Sequence, residues 1–326
     1  MTDIEDINAS DCCGNGCANC VLDVKVKHSK VCDKTGKTNV LLQYTYFRLL
    51  EKKPHSDGDS AVWEFHFKSA QAEIGETEYI LDLSPGYHLM LRTPYATAAQ
   101  GCVENEVEMK RKYLLRPYSP YWWDVEKMEF KILVNLKYHG PMTAVLRNLQ
   151  NDNEVEFRGP IGKFEFTPDN KGDNVILIIN QGVAIAATIP IIENILKNDE
   201  DLTRIVHLSC FENINHIYFR KEINDFQKYW NYKAHIYVAH ELCEDCKPLS
   251  ACSHLCKNFR NKLKYKEPIQ PGRLDDMELN KVLATYGNDV PHLQVVLAGT
   301  GNFQQHFKDL LSCDSYGINK NNIYLL

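Results

Sequence analysis

A continuous apolar run, Val175–Ile179, constrains the fold of this chain more than any other feature. A strand that is apolar at every position is typical of a parallel sheet with helices covering both faces. A Gly-containing turn and a helix, Ala186–Lys197, follow the run, and further strands and helices then alternate. This alternation predicts a doubly wound parallel α/β sheet. The later strands are predicted at Ile205–Cys210, His235–Ala239 and Leu293–Ala298, and the later helices at Lys221–Tyr232, Met277–Tyr286 and Phe303–Cys313.

The first half of the chain has a different pattern, in which short strands are separated by Gly- and Pro-containing turns and one short helix. Such a series predicts a closed antiparallel barrel. We therefore expect a Cys-rich segment over residues 1–40, a barrel over 41–170 and an α/β domain over 171–326. The barrel strands are predicted at Gln43–Leu50, Val62–Phe67, Tyr79–Leu83, Pro85–Leu91, Tyr113–Tyr118, Phe130–Tyr138 and Glu154–Phe157.

The bulk composition excludes some classes of function. The formal net charge of -6 argues against a general nucleic-acid-binding protein, which would be basic. The uncharged stretch Val175–Ile192 is long enough to suggest a membrane span, but Asn180-Gln181-Gly182 interrupts it and Pro190 lies near its end. The acidic start of the chain is not typical of a signal peptide or a mitochondrial presequence. We expect no membrane span and a cytoplasmic location.

One pentapeptide, Arg116-Pro117-Tyr118-Ser119-Pro120, carries side chains suited to a large phosphorylated cofactor. It is predicted to form the end of one strand and the turn beyond it, so residues two apart share a face. A guanidinium suits a pyrophosphate, an aromatic ring packs on a flat ring system, and a small hydroxyl bonds a heteroatom. An ordinary strand end is the alternative interpretation of the pentapeptide alone.

A second segment, Gly140-Pro141-Met142-Thr143, leads directly into a short amphipathic helix, which Met142 and Thr143 are predicted to open. Gly140 allows close backbone approach, and the free N–H groups at the helix start suit a diphosphate. Thr143 would serve equally as a helix cap. A further turn, Arg158-Gly159-Pro160-Ile161-Gly162, follows.

In order and spacing, these three motifs resemble those of the ferredoxin reductase superfamily, and the Pro in the first motif makes them most similar to its cytochrome b5 reductase branch. The resemblance covers residues 43–326. It implies a two-domain fold with an antiparallel Greek-key β-barrel that binds FAD, followed by a pyridine-nucleotide domain. It also implies electron transfer from NADH or NADPH through FAD to a one-electron acceptor, a haem protein such as cytochrome b5.

The resemblance assigns a role to each site residue. It implies that Arg116 holds the flavin pyrophosphate, that Tyr118 packs on the flavin, and that Ser119 bonds near the flavin N5 as the catalytic contact. The remaining flavin-binding residues would be Pro117, Leu133, Asn135, Gly140, Pro141, Met142 and Thr143. Asn135 stands where relatives carry Lys.

Two loops after the strands of the second half would bind the nicotinamide cofactor, through Gly182 and Val183 in one and Gly299 and Thr300 in the other. Their match to the family loops rests on position more than on sequence, because Val183 and Ala184 replace a Thr and a Gly. The alternative function is therefore a flavin-binding or degenerate scaffold, in which the α/β domain (171–326) and the Cys-rich segment (1–40) serve as interaction modules.

The chain has twelve cysteines, and eight of them form two clusters. The spacings within the clusters are compatible with zinc or an iron–sulfur centre, but reduced thiols fit them as well, so whether they bind metal is left open. The clusters consist of Cys12, Cys13, Cys17 and Cys20 near the start, and of Cys243, Cys246, Cys252 and Cys256 in a later insert beside His240 and His254. The first cluster resembles an oxidoreductase-like N-terminal segment.

Overall fold

The computed structural model describes residues 36–56, 59–73, 78–94, 113–137, 140–166, 168, 174–239, 261–285, 292–313, 316 and 318–326. These residues divide into two compact units, the first ending at Phe164 and the second beginning at Glu165.

The first unit is built almost entirely of strands. Its strands are β1 (Thr38–Asn39), β2 (Thr45–Ser56), β3 (Asp59–Ser69), β4 (Tyr79–Ile80), β5 (His88–Pro94), β6 (Tyr113–Tyr118), β7 (Pro120–Asp124), β8 (Glu129–Asn135) and β9 (Glu154–Ile161), and its described residues include one α-helix, α1 (Pro141–Asn148). Strands β1 and β4 form a separate parallel pair, so the predicted strand Tyr79–Leu83 is shortened to two residues and lies outside the main sheet.

The main sheet of this unit has seven antiparallel strands in the order β6-β5-β9-β2-β3-β8-β7. Strands β6 and β7 form its two edges, yet only Ser119 separates them in the chain. One nearly continuous stretch thus contributes both edges, which closes the sheet into a barrel and confirms the predicted architecture. The prediction of a turn at Ser119-Pro120 was wrong, because the backbone resumes an extended conformation at Pro120 and pairs with β8.

Five phenylalanines fill the barrel. Strand alternation turns them to one side of the sheet, and all five are completely buried. Their rings meet mostly edge to face, with centroids 4.9 Å apart for the pair Phe130–Phe157 and 5.1 Å apart for Phe47–Phe130. This is the geometry that aromatic pairs prefer in a core. The others are Phe65 and Phe67.

The second unit is the predicted doubly wound sheet. It consists of β10 (Asn174–Gln181), α2 (Ile185–Leu196), β11 (Arg204–Phe211), α3 (Arg220–Phe226), β12 (Tyr232–Val238), β13 (Ile269–Pro271), α4 (Asp276–Ala284), β14 (His292–Ala298), α5 (Gly301–Ser312) and β15 (Ile323–Leu325). All six strands are parallel, in the order β13-β12-β11-β10-β14-β15. The helix predicted at Lys221–Tyr232 ends early at Phe226, because residues 227–231 form turns that lead into β12.

The order of the strands defines one switch point in this sheet. From β10 the chain adds β11, β12 and β13 on one side, and it then returns to place β14 on the other side of β10. Connections therefore leave β10 and β14 in opposite directions, which opens a crevice outside the carboxyl ends of these two strands. Ligands of open α/β sheets bind in such a crevice.

Candidate functional site

The predicted pyrophosphate contact, Arg116, lies on β6 and is half-buried. The strand register pairs Arg116 with Leu91 and Tyr118 with Leu89, so the two predicted flavin contacts share one face of the strand. One guanidinium nitrogen, Nη1, donates a hydrogen bond to the carbonyl oxygen of Leu115 at 2.7 Å. The side chain is thus anchored through a neutral acceptor, and the guanidinium carries further N–H donors.

Tyr118 and Ser119 lie at the junction of the two edge strands. The Tyr118 ring packs against the barrel core, and burial raises the pKa of its hydroxyl well above the ordinary value. This hydroxyl therefore stays protonated at any physiological pH. Ser119 is half-buried in the single-residue break between β6 and β7, where the chain passes from one edge of the sheet to the other. Pro117 is half-buried opposite Met90.

Leu133 and Asn135 occupy a different face. They alternate along β8 with the barrel-core residues Ile132 and Val134, whereas Arg116 and Tyr118 pair with core residues. Asn135 also has a local role, since its Oδ1 accepts a hydrogen bond from the Lys137 N–H at 2.8 Å. The structure does not bring the two pairs onto one face, and the flavin contacts of Leu133 and Asn135 stay predictions.

Helix α1 begins as the sequence predicted. Gly140 is its N-cap residue, in an extended conformation, and Pro141 occupies the first turn. Thr143 lies inside the helix and is not the cap residue. A Cβ added at Gly140 would come no closer to the described neighbours than 3.8 Å, from Thr143 Oγ1, so the approach to the helix start is open. The N–H groups of Met142 and Thr143 fall at the positive end of the helix dipole. The Met142 side chain is buried in the barrel core.

Two basic residues fix the other end of α1. Lys52 of β2 directs its Nζ at the last carbonyls of the helix, with donor–acceptor distances of 2.7 Å to Arg147 O, 3.1 Å to Leu149 O and 3.4 Å to Leu146 O. Arg147 donates to Leu136 O at 2.6 Å, which ties the helix to the end of β8. Burial lowers the pKa of Lys52. This anchoring was missed, because Lys52 lies far from α1 in the sequence.

The second group of predicted residues flanks the switch-point crevice. Gly182 follows β10 with φ +55°, a conformation that suits glycine, and Val183 is half-buried in the short 3₁₀ turn before α2. Gly299 follows β14, where an added Cβ would lie only 2.7 Å from Phe303 Cδ1. Thr300 is the exposed N-cap residue of α5.

The structure adds a residue that the sequence reasoning did not assign to the site. Gln181 Oε1 accepts hydrogen bonds from Thr300 Oγ1 at 3.0 Å and from Thr300 N at 3.4 Å. This side chain joins the loop after β10 to the loop after β14. Its place at the end of β10 was visible in the sequence, but its partner, Thr300, was not.

A buried polar network lies behind this loop. His207 shares hydrogen bonds with Asn180 Oδ1 at 2.6 Å and with the Tyr232 hydroxyl at 2.7 Å, and Ser209 Oγ donates to Asn180 Oδ1 at 3.0 Å. Burial lowers the pKa of His207 to about 3, so the imidazole is neutral. The signal in the sequence was a set of polar residues on strands that are otherwise apolar.

The two cysteine clusters fall on residues 1–35 and 240–260, outside the described part of the chain. Within the described part, no group of His, Cys, Asp or Glu side chains is arranged to hold a metal ion. Cys210 and Cys313 are free thiols, and burial raises the pKa of Cys210 to about 12. The described helices include none that is both long and apolar enough to cross a membrane.

Comparison with known proteins supports the predicted FAD-binding domain and the fold. The sequence profile of the oxidoreductase FAD-binding domain matches residues 49–166. The cytochrome b5 reductase domain of Ulva prolifera nitrate reductase superposes with a TM-score of 0.63 at 20% identity, covering 88% of this chain and 98% of that one. Ferredoxin-NADP+ reductase from Plasmodium falciparum superposes with a TM-score of 0.58 at 14% identity, covering 87% and 95%. The chain is thus an oxidoreductase with an FAD-binding domain and the ferredoxin reductase fold. The FAD-binding domain and the fold were both predicted from the sequence.

Proteins of similar sequence indicate which group of oxidoreductases this chain is related to. The mouse protein named NADH-cytochrome b5 reductase-like is 25% identical over 258 residues, which span 74% of this chain and 75% of the mouse protein. The human protein of the same name is 24% identical over 249 residues, 74% of each chain. NADH-cytochrome b5 reductase-like proteins are therefore homologues of this chain, as the sequence motifs indicated.

Proposed function

We propose that this protein is an FAD-dependent reductase that passes electrons from NADH or NADPH to a one-electron acceptor, a haem protein such as cytochrome b5. The FAD-binding profile over residues 49–166 carries the proposal. The names of the mouse and human relatives support the donor and the acceptor. We further propose a cytoplasmic location.

The residues on the first unit fit a flavin diphosphate. Arg116 is half-buried, with its guanidinium anchored through a neutral carbonyl, and the start of α1 offers uncapped N–H groups beside an open glycine. Helix α1 packs against β6, the strand that carries Arg116. A fixed guanidinium and a helix N-terminus together form a donor set for an anionic, bidentate ligand.

Bound flavin would supply the redox chemistry, and the chain's own residues would bind and orient it. Arg116 neutralises the diphosphate charge, and the N–H groups of Met142 and Thr143 hold the second phosphate. Tyr118 presents its ring and a protonated hydroxyl to the cofactor. Ser119 presents a small hydroxyl that donates or accepts a hydrogen bond at the flavin ring.

Replacing Arg116 tests this site. Arg116→Ala should lower flavin affinity by about ten- to more than a hundredfold, because a charge-assisted contact to phosphate contributes about 1.5–3 kcal/mol. The measurement is flavin content after dialysis at micromolar protein. Arg116→Lys is the matched variant, since it keeps the charge and loses the planar guanidinium. Its affinity for flavin should fall between those of the wild type and Arg116→Ala. Full flavin occupancy in a folded Arg116→Ala protein would refute the assignment.

A second candidate function is a flavin-bearing scaffold whose nucleotide half no longer binds a nucleotide. Val183, which has no hydroxyl, and the side-chain bridge from Gln181 across the crevice favour it. Anaerobic titration distinguishes the two functions. Bleaching of the flavin absorbance by NADH or NADPH, followed by reduction of added cytochrome b5, supports the reductase. Flavin absorbance that responds to dithionite but to neither nucleotide supports the scaffold.

A further inference from the structure

The crevice between β10 and β14 is where the topology of the second unit directs a dinucleotide. Asn180 and Ala298 are directly paired at the carboxyl ends of these strands, so the two loops that follow are neighbours. A Cβ added at Gly299 would lie 3.1 Å from Gln181 Cβ, which shows how closely the loops approach. A ligand bound at this switch point would lie beside both loops.

The Gln181 side chain spans this entrance. Its Oε1 accepts both from the Thr300 hydroxyl and from the Thr300 N–H, so two donors of one loop are engaged by an acceptor of the other. Gln181 is exposed, and its amide can therefore exchange these bonds for bonds to water at small cost.

The backbone on either side of this bridge is held firmly. Gln304 Nε2 donates to Gly299 O at 2.9 Å and to Leu326 O at 2.6 Å, which fixes the loop that carries Thr300. On the other side, the buried Asn180 is held by His207 and Ser209. The exposed Gln181 side chain can therefore move without unfolding either loop.

We propose that Gln181 is an autoinhibitory latch, whose carboxamide must leave Thr300 before a nicotinamide dinucleotide binds between the two loops. The proposal rests on the reductase function proposed above and names a control on that site. Its chemistry is direct, because the primary amide of a glutamine side chain is the same functional group as the carboxamide of nicotinamide. The Gln181 side chain thus occupies the Thr300 donors that would suit the ligand. The free protein therefore binds the dinucleotide more weakly than it would with Gln181 moved away from Thr300.

Removing the latch should tighten nucleotide binding. In flavin-loaded protein, Gln181→Ala should lower the dissociation constant for NAD+ by about three- to tenfold, the range expected for exposed hydrogen bonds that no longer compete. Calorimetric titration with NAD+ measures binding without electron transfer. Gln305→Ala is the matched control, because Gln305 is an exposed glutamine on α5 that bonds Asp309 within its own helix. Its dissociation constant should equal that of the wild type.

Hydrogen exchange tests the latch without any nucleotide. In nucleotide-free Gln181→Ala, the amide of Thr300 should exchange faster than in the wild type, and in Gln305→Ala it should not. Equal NAD+ affinity in wild type and Gln181→Ala would overturn the latch alone. Weaker binding by Gln181→Ala would also overturn it, since Gln181 would then be a ligand contact. Failure of both proteins to bind NAD+ and NADP+, when both hold flavin that dithionite bleaches, would overturn the reductase proposal and the latch with it.

Discussion

Replacing Lys52 by Met removes the ammonium group that the last carbonyls of α1 share, and it keeps an apolar stem of similar length. In the wild type, Nζ lies within hydrogen-bonding distance of three carbonyl oxygens, those of Leu146, Arg147 and Leu149. The same Nζ lies 5.5 Å from the centroid of the Trp63 ring. We therefore expect Lys52→Met to destabilise the first unit.

The magnitude follows from the contacts. Two of the three distances, 2.7 Å and 3.1 Å, are those of good hydrogen bonds, and bonds to a charged group contribute about 1.5–3 kcal/mol when buried. Because Lys52 is only half-buried, water replaces part of this contribution. We expect a loss of about 2 kcal/mol in the free energy of unfolding. The Met stem retains most of the packing on Trp63.

Urea denaturation followed by tryptophan fluorescence measures this loss, because three of the four tryptophans lie in the first unit. A loss of about 2 kcal/mol corresponds to a midpoint lowered by about 1 M, at the usual dependence on urea. Lys53→Met is the matched control. Lys53 is exposed and paired with Glu51 at 3.0 Å, a surface pair that contributes at most about 1 kcal/mol. Equal midpoints for the two variants would refute the anchoring of α1 by Lys52.

Other changes should also be measurable. Burial lowers the pKa of His88 to about 4 and that of His207 to about 3 in the folded protein. In the unfolded chain both histidines take up a proton below about pH 6.5, whereas the folded protein does so only near its lower pKa values. Stability should therefore fall as the pH drops from about 6.5 toward those lower values, by about 2 kcal/mol per histidine at pH 5. Urea midpoints at pH 7 and pH 5 measure the loss, and His88→Gln should reduce it in the first unit. Gly86→Ala should lower the stability of that unit by more than about 2 kcal/mol, because φ is +80° and the added Cβ would meet Phe164 Cδ1 at 2.8 Å. Gly182→Ala should cost the second unit only about 1 kcal/mol, since φ is +55° and an added Cβ would have no described atom within 4 Å; equal losses of stability on thermal unfolding would contradict this contrast.

The sequence was sufficient for the architecture where the hydrophobic pattern is strong. The apolar run in β10 predicted a strand covered on both faces, and Val175–Ile179 is buried throughout. The short edge strands β13 and β15 were missed, because three-residue segments carry too little periodicity to stand out. The break at Ser119 was taken for a turn, since two prolines flanking a small polar residue usually mark one.

The parts of the candidate site that the sequence did not predict depend on contacts between distant residues. Lys52 lies 95 residues from Arg147, and Gln181 lies 119 residues from Thr300. No local pattern distinguishes these two side chains from other polar residues of the chain. By contrast, Gly140 and Pro141 carry a local signal for a helix start, and α1 begins where that signal predicted.

The barrel closes through Ser119, so the segment 116–120 joins the two edge strands of the sheet and is also the proposed flavin site. A ligand held by Arg116, Tyr118 and Ser119 would stabilise the junction of the two edge strands. The cofactor would therefore affect folding as well as catalysis. Flavin at one hundred times its dissociation constant would add about 2.7 kcal/mol to the stability of the barrel. A cell short of riboflavin would then hold less of this protein, because the less stable flavin-free barrel would be degraded by proteases.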